Sequence, residues 1–202
     1  MDDPLARLDA AVTRLAALTA GRARTGTHHD DGDDVEGTVA TDDAIGFDPR
    51  PLLRALAAAG AEVVVMGQVA GILHGSAELT GDLDLLWDGH PDQRAALAAG
   101  FAAADAALVD DDDRPVACDA AAFALPKVRF VTDRASGDCC TPALPWGALD
   151  VRAFVARAHV ATGPDALRVR YLARTDLVTM RRAVGRPKDL RRAIELEALA
   201  RR

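Results

Sequence analysis

The sequence predicts an α/β (α+β) fold, a mixed β-sheet flanked by helices. Three observations carry that expectation. Apolar residues recur at helical spacing in several segments, short β-branched runs bounded by glycine lie between them, and the two kinds interleave along most of the 202 residues. A composition that is 50% hydrophobic and 27% charged supplies a core for one domain with an appendage.

The elements follow in order. Residues 1–20 read as an amphipathic helix: Asp3 can cap it, Pro4 suits its first position, and Leu5, Leu8, Val12, Leu15 and Leu18 form a stripe before Gly21. Residues 21–46 are polar, acidic and glycine-punctuated, the composition of a flexible linker. Within them His28, His29, Asp30, Asp31, Asp33 and Asp34 have metal-ligand chemistry, but nothing fixes their geometry, so they read as a solvated run. The main domain spans 47–202. Asp48-Pro49 opens a helix that Gly60 ends; residues 62–66 are a buried strand; Gln68–His74 is a short helix; Leu83–Trp87 is a second strand and Pro91–Ala107 a long helix. Residues 110–113, four aspartates, form a solvated loop. Lys127–Thr132, Ala148–Phe154 and Arg168–Leu172 read as strands, and helices over Arg174–Val184 and Pro187–Ala200 close the chain.

Charge is divided unevenly. Residues 1–150 hold 11 basic and 26 acidic side chains, whereas 151–202 hold 13 basic and 5 acidic, so the overall −7 hides a basic C-terminal quarter. The total argues against a broad nucleic-acid-binding surface but leaves room for a local phosphate site. No apolar run approaches the ~20 residues of a membrane span. Met1-Asp2-Asp3 leads into no signal-like apolar stretch, so a cytoplasmic location and no membrane partner are expected. Cys118, Cys139 and Cys140 lack zinc spacing and read as free thiols.

The chemistry concentrates in Val63–Trp87, VVVMGQVAGILHGSAELTGDLDLLW. A strand runs into Gly67, where the absent side chain lets backbone N–H groups approach a phosphate. A short helix follows, and a second strand delivers Asp82 and Asp84. Alternation along a strand sends both carboxylates to one face and Leu83 and Leu85 to the other. Paired carboxylates repel unless a cation lies between them, and Mg²⁺ takes such oxygen ligands while keeping room for phosphates.

Taken together, this stretch resembles the nucleotidyltransferase superfamily with the DNA polymerase β-like fold, nearest its small bacterial branch of AbiEii-like and minimal nucleotidyltransferases. His74-Gly75, Thr80, Asp82, Leu83 and Asp84 match the pattern. Gly147-Ala148-Leu149-Asp150-Val151 resembles the later strand that brings a third carboxylate. Ala183-Val184-Gly185-Arg186-Pro187-Lys188-Asp189 resembles the closing signature that opens the last helix. Three positions depart from the pattern: Gln68 replaces a Gly or Ser, Glu78 replaces an Arg, and Arg181 replaces a Lys.

The resemblance implies a Mg²⁺- (or Mn²⁺-) dependent nucleotidyltransferase that moves a nucleoside monophosphate from an NTP to an acceptor hydroxyl on RNA, protein or a small molecule. The resemblance further implies a link to toxin–antitoxin systems, with a cognate antitoxin or regulator as an expected partner. Asp82, Asp84 and Asp150 would be the catalytic, metal-holding carboxylates. Gly67, Gln68, Thr80, Arg181 and Lys188 would bind the nucleotide. An acidic Glu78 near phosphates repels them unless it faces away. The alternative reading, carried by Glu78 and Gln68, is a degenerate member acting as a binding or regulatory module.

Overall fold

The computed structural model describes residues 3–28, 32, 37–163 and 165–201. Its architecture is mixed α/β. Among the described residues there are seven α-helices: α1 (Pro4–Thr19), α2 (Arg50–Ala58), α3 (Gly67–Leu73), α4 (Arg94–Ala103), α5 (Val151–Ala156), α6 (Arg174–Val184) and α7 (Pro187–Leu199). Eight strands, β1 (Val64–Val65), β2 (Leu85–Leu86), β3 (Ala107–Val109), β4 (Pro115–Val116), β5 (Lys127–Val131), β6 (Ser136–Cys140), β7 (His159–Thr162) and β8 (Arg168–Tyr171), form one sheet in the order β4-β3-β5-β6-β2-β1-β8-β7. The β1–β8 and β2–β6 pairs are parallel and the others antiparallel. None of the described helices is long and apolar enough to cross a membrane.

Leu52, Leu56, Leu83, Leu85, Leu86, Trp87 and Phe101 are at most 1% exposed and anchor a single hydrophobic core. Phe101 packs against Phe123 and Phe130 with ring centroids 5.4 and 5.1 Å apart. Helix α1 belongs to this core. Asp3 accepts the Leu5 N–H at 3.0 Å, Pro4 starts the helix, and buried Leu5, Leu8, Val12 and Leu15 bring it against α3.

Several expected elements differ. Within the segment expected to be a flexible linker, residues 37–45 pack on the body, while residues 21–28 are mostly exposed. Thr38–Ala40 and Asp42–Ala44 are 3₁₀ turns with Thr38, Asp42 and Ala44 buried, and the Asp42 carboxylate accepts the N–H groups of Thr25 and Gly26 at 2.8–2.9 Å. Gly81 allows the close approach, because a Cβ there would press on the Ala44 backbone. Polar composition concealed this packing because threonine hydroxyls and an aspartate do the anchoring. His29, Asp30, Asp31, Asp33 and Asp34 lie outside the described residues.

The expected strand over 148–154 is instead a turn leading into α5: Asp150 caps it by accepting the Ala153 N–H at 3.1 Å, and a capped first turn sets helical backbone. The expected helix over 91–107 ends at Ala103, just before Asp105 at φ +51, and the chain then enters β3. The acidic run 110–113 turns the chain between β3 and β4. All three cysteines are free, and burial drives the Cys139 and Cys140 thiols upward, so they stay protonated.

Candidate active site

The centre of the sheet positions the acidic residues. Leu83 and Leu85, both 0% exposed, face the core, so the alternating Asp82 and Asp84 face the other way. The Leu83 N–H reaches the Ser136 carbonyl at 2.8 Å and the Met66 N–H reaches the Asp84 carbonyl at 2.9 Å, which fixes this stretch between its neighbours. β2 and β6 run parallel with Leu85 opposite Cys139, so one residue earlier Asp84 lies beside Asp138. Asp82, Asp84 and Asp138 line one cavity of about 300 Å³.

The opposite charge comes from the C-terminal helices. Leu177, Met180, Arg181 and Val184 recur at spacings of three and four along α6, so a single helix face borders the cavity. Arg186, at the start of α7, and Lys188 and Arg192 within it add three more cations. Acid from the first part of the chain and base from its last quarter therefore meet in one place.

The carboxylates are under electrostatic stress. Asp84 keeps a little surface toward the cavity but is crowded by protein, and its pKa is raised well above the usual carboxylate value. Burial is the largest cause, and repulsion from Asp82 and Asp138 follows; Arg192 and Arg186 pull weakly the other way. Gly67 sits at φ +60, and a Cβ there would overlap the Asp84 carboxylate, so only glycine lets the two elements approach this closely. Asp82 is held from below: its Oδ1 accepts the hydroxyls of Thr80 and of Thr38, the latter at 3.0 Å.

Arg181 is 4% exposed. Its Nη2 donates to the Gly67 carbonyl at 3.1 Å and to Gln68 Oε1 at 2.7 Å, whereas buried Nη1 has no hydrogen-bond partner among the described residues. Burial, with the Arg192 charge adding to it, lowers its pKa to about 10, which still leaves it charged at neutral pH. The Gln68 amide nitrogen donates to Ser76 Oγ at 3.0 Å and to the Glu78 carbonyl at 2.8 Å. Gln68 thus buttresses Arg181 and has its amide turned into the protein. Glu78 does not line the cavity. Its Oε1 meets Arg192 at 2.7–2.8 Å and Arg191 at 3.5 Å, so its charge is answered by α7.

Of the residues expected from sequence, Asp82, Asp84, Gly67, Gln68, Arg181 and Lys188 line the cavity. Thr80 lies beneath Asp82, outside the lining. Asp150 does not join them: it is exposed at the start of α5, and the carboxylate beside Asp84 is Asp138. His74 also stands apart, at the C-terminal end of α3 with Nε2 2.8 Å from the Leu172 carbonyl. Sequence reasoning missed Asp138, Thr38 and Trp146. The signal for Asp138 was an aspartate followed by two apolar residues, Cys139-Cys140, hidden in a stretch that reads as turns.

The donor set is all oxygen, three carboxylates whose charges oppose one another, and that chemistry fits a hard divalent cation. Among the described residues no group of three or more His, Cys, Asp or Glu side chains is gathered tightly enough to hold a metal as it stands. No protein-family model matches the chain, and no curated protein matches it in sequence.

Proposed function

We propose that the chain is a magnesium-dependent nucleotidyltransferase with a DNA polymerase β-like fold, transferring a nucleoside monophosphate from an NTP to an acceptor hydroxyl. The observation that carries this reading is one cavity with Asp82, Asp84 and Asp138 together with Arg181, Arg186, Lys188 and Arg192. Such a site has acid to gather a cation and base to receive polyphosphate.

Asp82, Asp84 and Asp138 would hold the magnesium, which when bound supplies charge neutralisation at the reacting phosphate. Arg181, fixed by Gln68 and the Gly67 carbonyl, lines the cavity and would bring its charge to a phosphate oxygen. Lys188 and Arg186, at the start of α7, steady the leaving pyrophosphate. Asp138 takes the place that the resemblance gave Asp150, and receives the proton of the acceptor hydroxyl as it attacks the α-phosphorus. Thr38 and Thr80 hold Asp82 in orientation.

The test is label transfer. With α-³²P-NTPs, Mg²⁺ and total cellular RNA or a proteome, label should pass to an acceptor with release of pyrophosphate. Asp84→Asn and Asp138→Asn should each lower the rate by at least ~100-fold, while Asp150→Asn leaves it unchanged. No transfer combined with no Mg²⁺-dependent NTP binding sinks the reading. Loss in Asp150→Asn with activity kept in Asp138→Asn sinks the assignment of the third carboxylate.

A further inference from the structure

We propose that Trp146 is the platform on which the nucleobase stacks, and that the site accepts nucleoside triphosphates with little regard to the base. This inference rests on the nucleotide reading of the cavity. Trp146 lies between β6 and α5 and is the one aromatic side chain in the cavity's described lining. Its indole N–H donates to the Thr141 carbonyl at 2.7 Å and its backbone N–H to the Leu144 carbonyl at 2.8 Å. The ring is therefore fixed by its own loop, with its polar edge spent; part of its apolar surface packs on the core and the rest borders the cavity. Val184 borders the same cavity and is 51% exposed, an apolar side chain left open beside a cluster of charges. A ligand that satisfies both is flat and apolar at one end and polyanionic at the other. A volume of about 300 Å³ gives room for one such molecule.

Base tolerance follows from where the neutral polar groups go. The neutral polar side chains of the described lining are Thr38 and Gln68, besides the Trp146 indole N–H. The Thr38 hydroxyl is engaged by Asp82, Thr80 and the Gly81 N–H. The Gln68 amide is engaged by Ser76, the Glu78 carbonyl and Arg181. What remains is apolar, or charged and engaged elsewhere: the three carboxylates with the cation, Arg181, Arg186 and Lys188 with phosphate, Arg192 with Glu78 and Asp189 with Arg186. Stacking on an aromatic face discriminates weakly because every base has such a face, whereas a site that rejects wrong bases reserves hydrogen bonds for their edges.

The test uses the full chain, Mg²⁺, the four α,β-methylene nucleoside triphosphates and inorganic tripolyphosphate. The chain has two tryptophans, and Trp87 is 1% exposed, so fluorescence quenching reports on Trp146. All four nucleotides should quench, with dissociation constants within roughly tenfold of one another. Tripolyphosphate should bind by calorimetry without quenching. By calorimetry, Trp146→Ala should weaken each nucleotide by about tenfold or more and leave tripolyphosphate binding unchanged, and Trp146→Phe should keep the nucleotide affinity. Nucleotide binding without quenching, an equal loss for tripolyphosphate in Trp146→Ala, or preference for one base by more than about a hundredfold overturns the proposal. Tripolyphosphate binding with no gain from a base overturns the platform and spares the phosphate site. A chain that binds neither overturns the nucleotide reading as well.

Discussion

The hydroxyl of Thr38 lies 3.0 Å from Asp82 Oδ1, 2.9 Å from the Thr80 hydroxyl and 2.8 Å from the Gly81 nitrogen, whose N–H it accepts. One buried oxygen thus orients a carboxylate and satisfies a backbone donor. Thr38→Val keeps the shape, strands the Gly81 N–H and leaves Asp82 to Thr80 alone, so it should cost about 1–3 kcal/mol of stability and lower transfer, while Thr38→Ser restores most of both. Urea denaturation beside the transfer assay reads this; a valine variant as stable as the wild type would remove the anchoring role. Individual residues also mark the limit of what the sequence discloses. Asp82 and Asp84 are legible because strand alternation puts both carboxylates on one face whatever surrounds them. Asp138 and Thr38 are not, since each matters only through a neighbour brought by folding: Asp138 through the register of two parallel strands, Thr38 through a contact spanning 44 residues.

Helix α3 connects the cavity, at the centre of the sheet, to its β7–β8 edge. Its first residue, Gly67, lies against Asp84, and the residue after its last, His74, is 6% exposed and packs against Tyr171 and His159 with ring centroids 5.0 and 5.7 Å away. The Leu172 carbonyl can only accept, so His74 Nε2 carries the proton in their 2.8 Å contact. Burial lowers the His74 pKa from 6.5 to about 4, the charges of Arg174, His159 and Arg181 adding to it against the Leu172 hydrogen bond. The native state therefore prefers the neutral ring. The stability this gives is complete above pH 6.5 and is lost as pH falls from there toward 4, about 3 kcal/mol over the window. His74→Gln keeps a donor and cannot gain a charge. Its melting temperature should fall less than the wild type's between pH 7 and 4.5, by about 5 °C or more. Parallel pH profiles for the two proteins would exclude His74 as the group responsible. Among the elements, strands and helices with a strong pattern, such as α6, α7, β5 and β8, stand where periodicity puts them. β6 is not legible because Asp133, Arg134, Ser136 and Gly137 carry turn chemistry, and 148–154 is ambiguous because one helical turn and a short strand share the same apolar run.

At the scale of the molecule, the stripe on α1 is visible in the sequence, but a stripe has no address. Its periodicity declares a face to bury without naming the surface that receives it. In the fold that surface includes α3, the same helix that carries Gly67 against Asp84. Arg7 donates to the Leu73 carbonyl at 3.0 Å and Arg14 to the Ala77 carbonyl just past α3 at 3.1 Å, while Arg50 of α2 donates to Asp9 at 2.6 Å. α1 is thus structurally continuous with the element under the site. Two leucines of the same helix separate this from a loosely appended arm. Leu8 is 1% exposed and Leu18 is 66% exposed. Leu8→Ala opens a cavity between α1 and the core and should cost about 2–4 kcal/mol, whereas Leu18→Ala should stay within about 0.5 kcal/mol of the wild type. Because α1 packs on α3, which carries Gly67 against Asp84, Leu8→Ala should also weaken Mg²⁺-dependent nucleotide binding, measured by calorimetry under conditions where the variant remains folded. If both substitutions prove equally mild, α1 is not part of the cooperative unit, and the stripe Leu5–Leu15 must find its partner elsewhere.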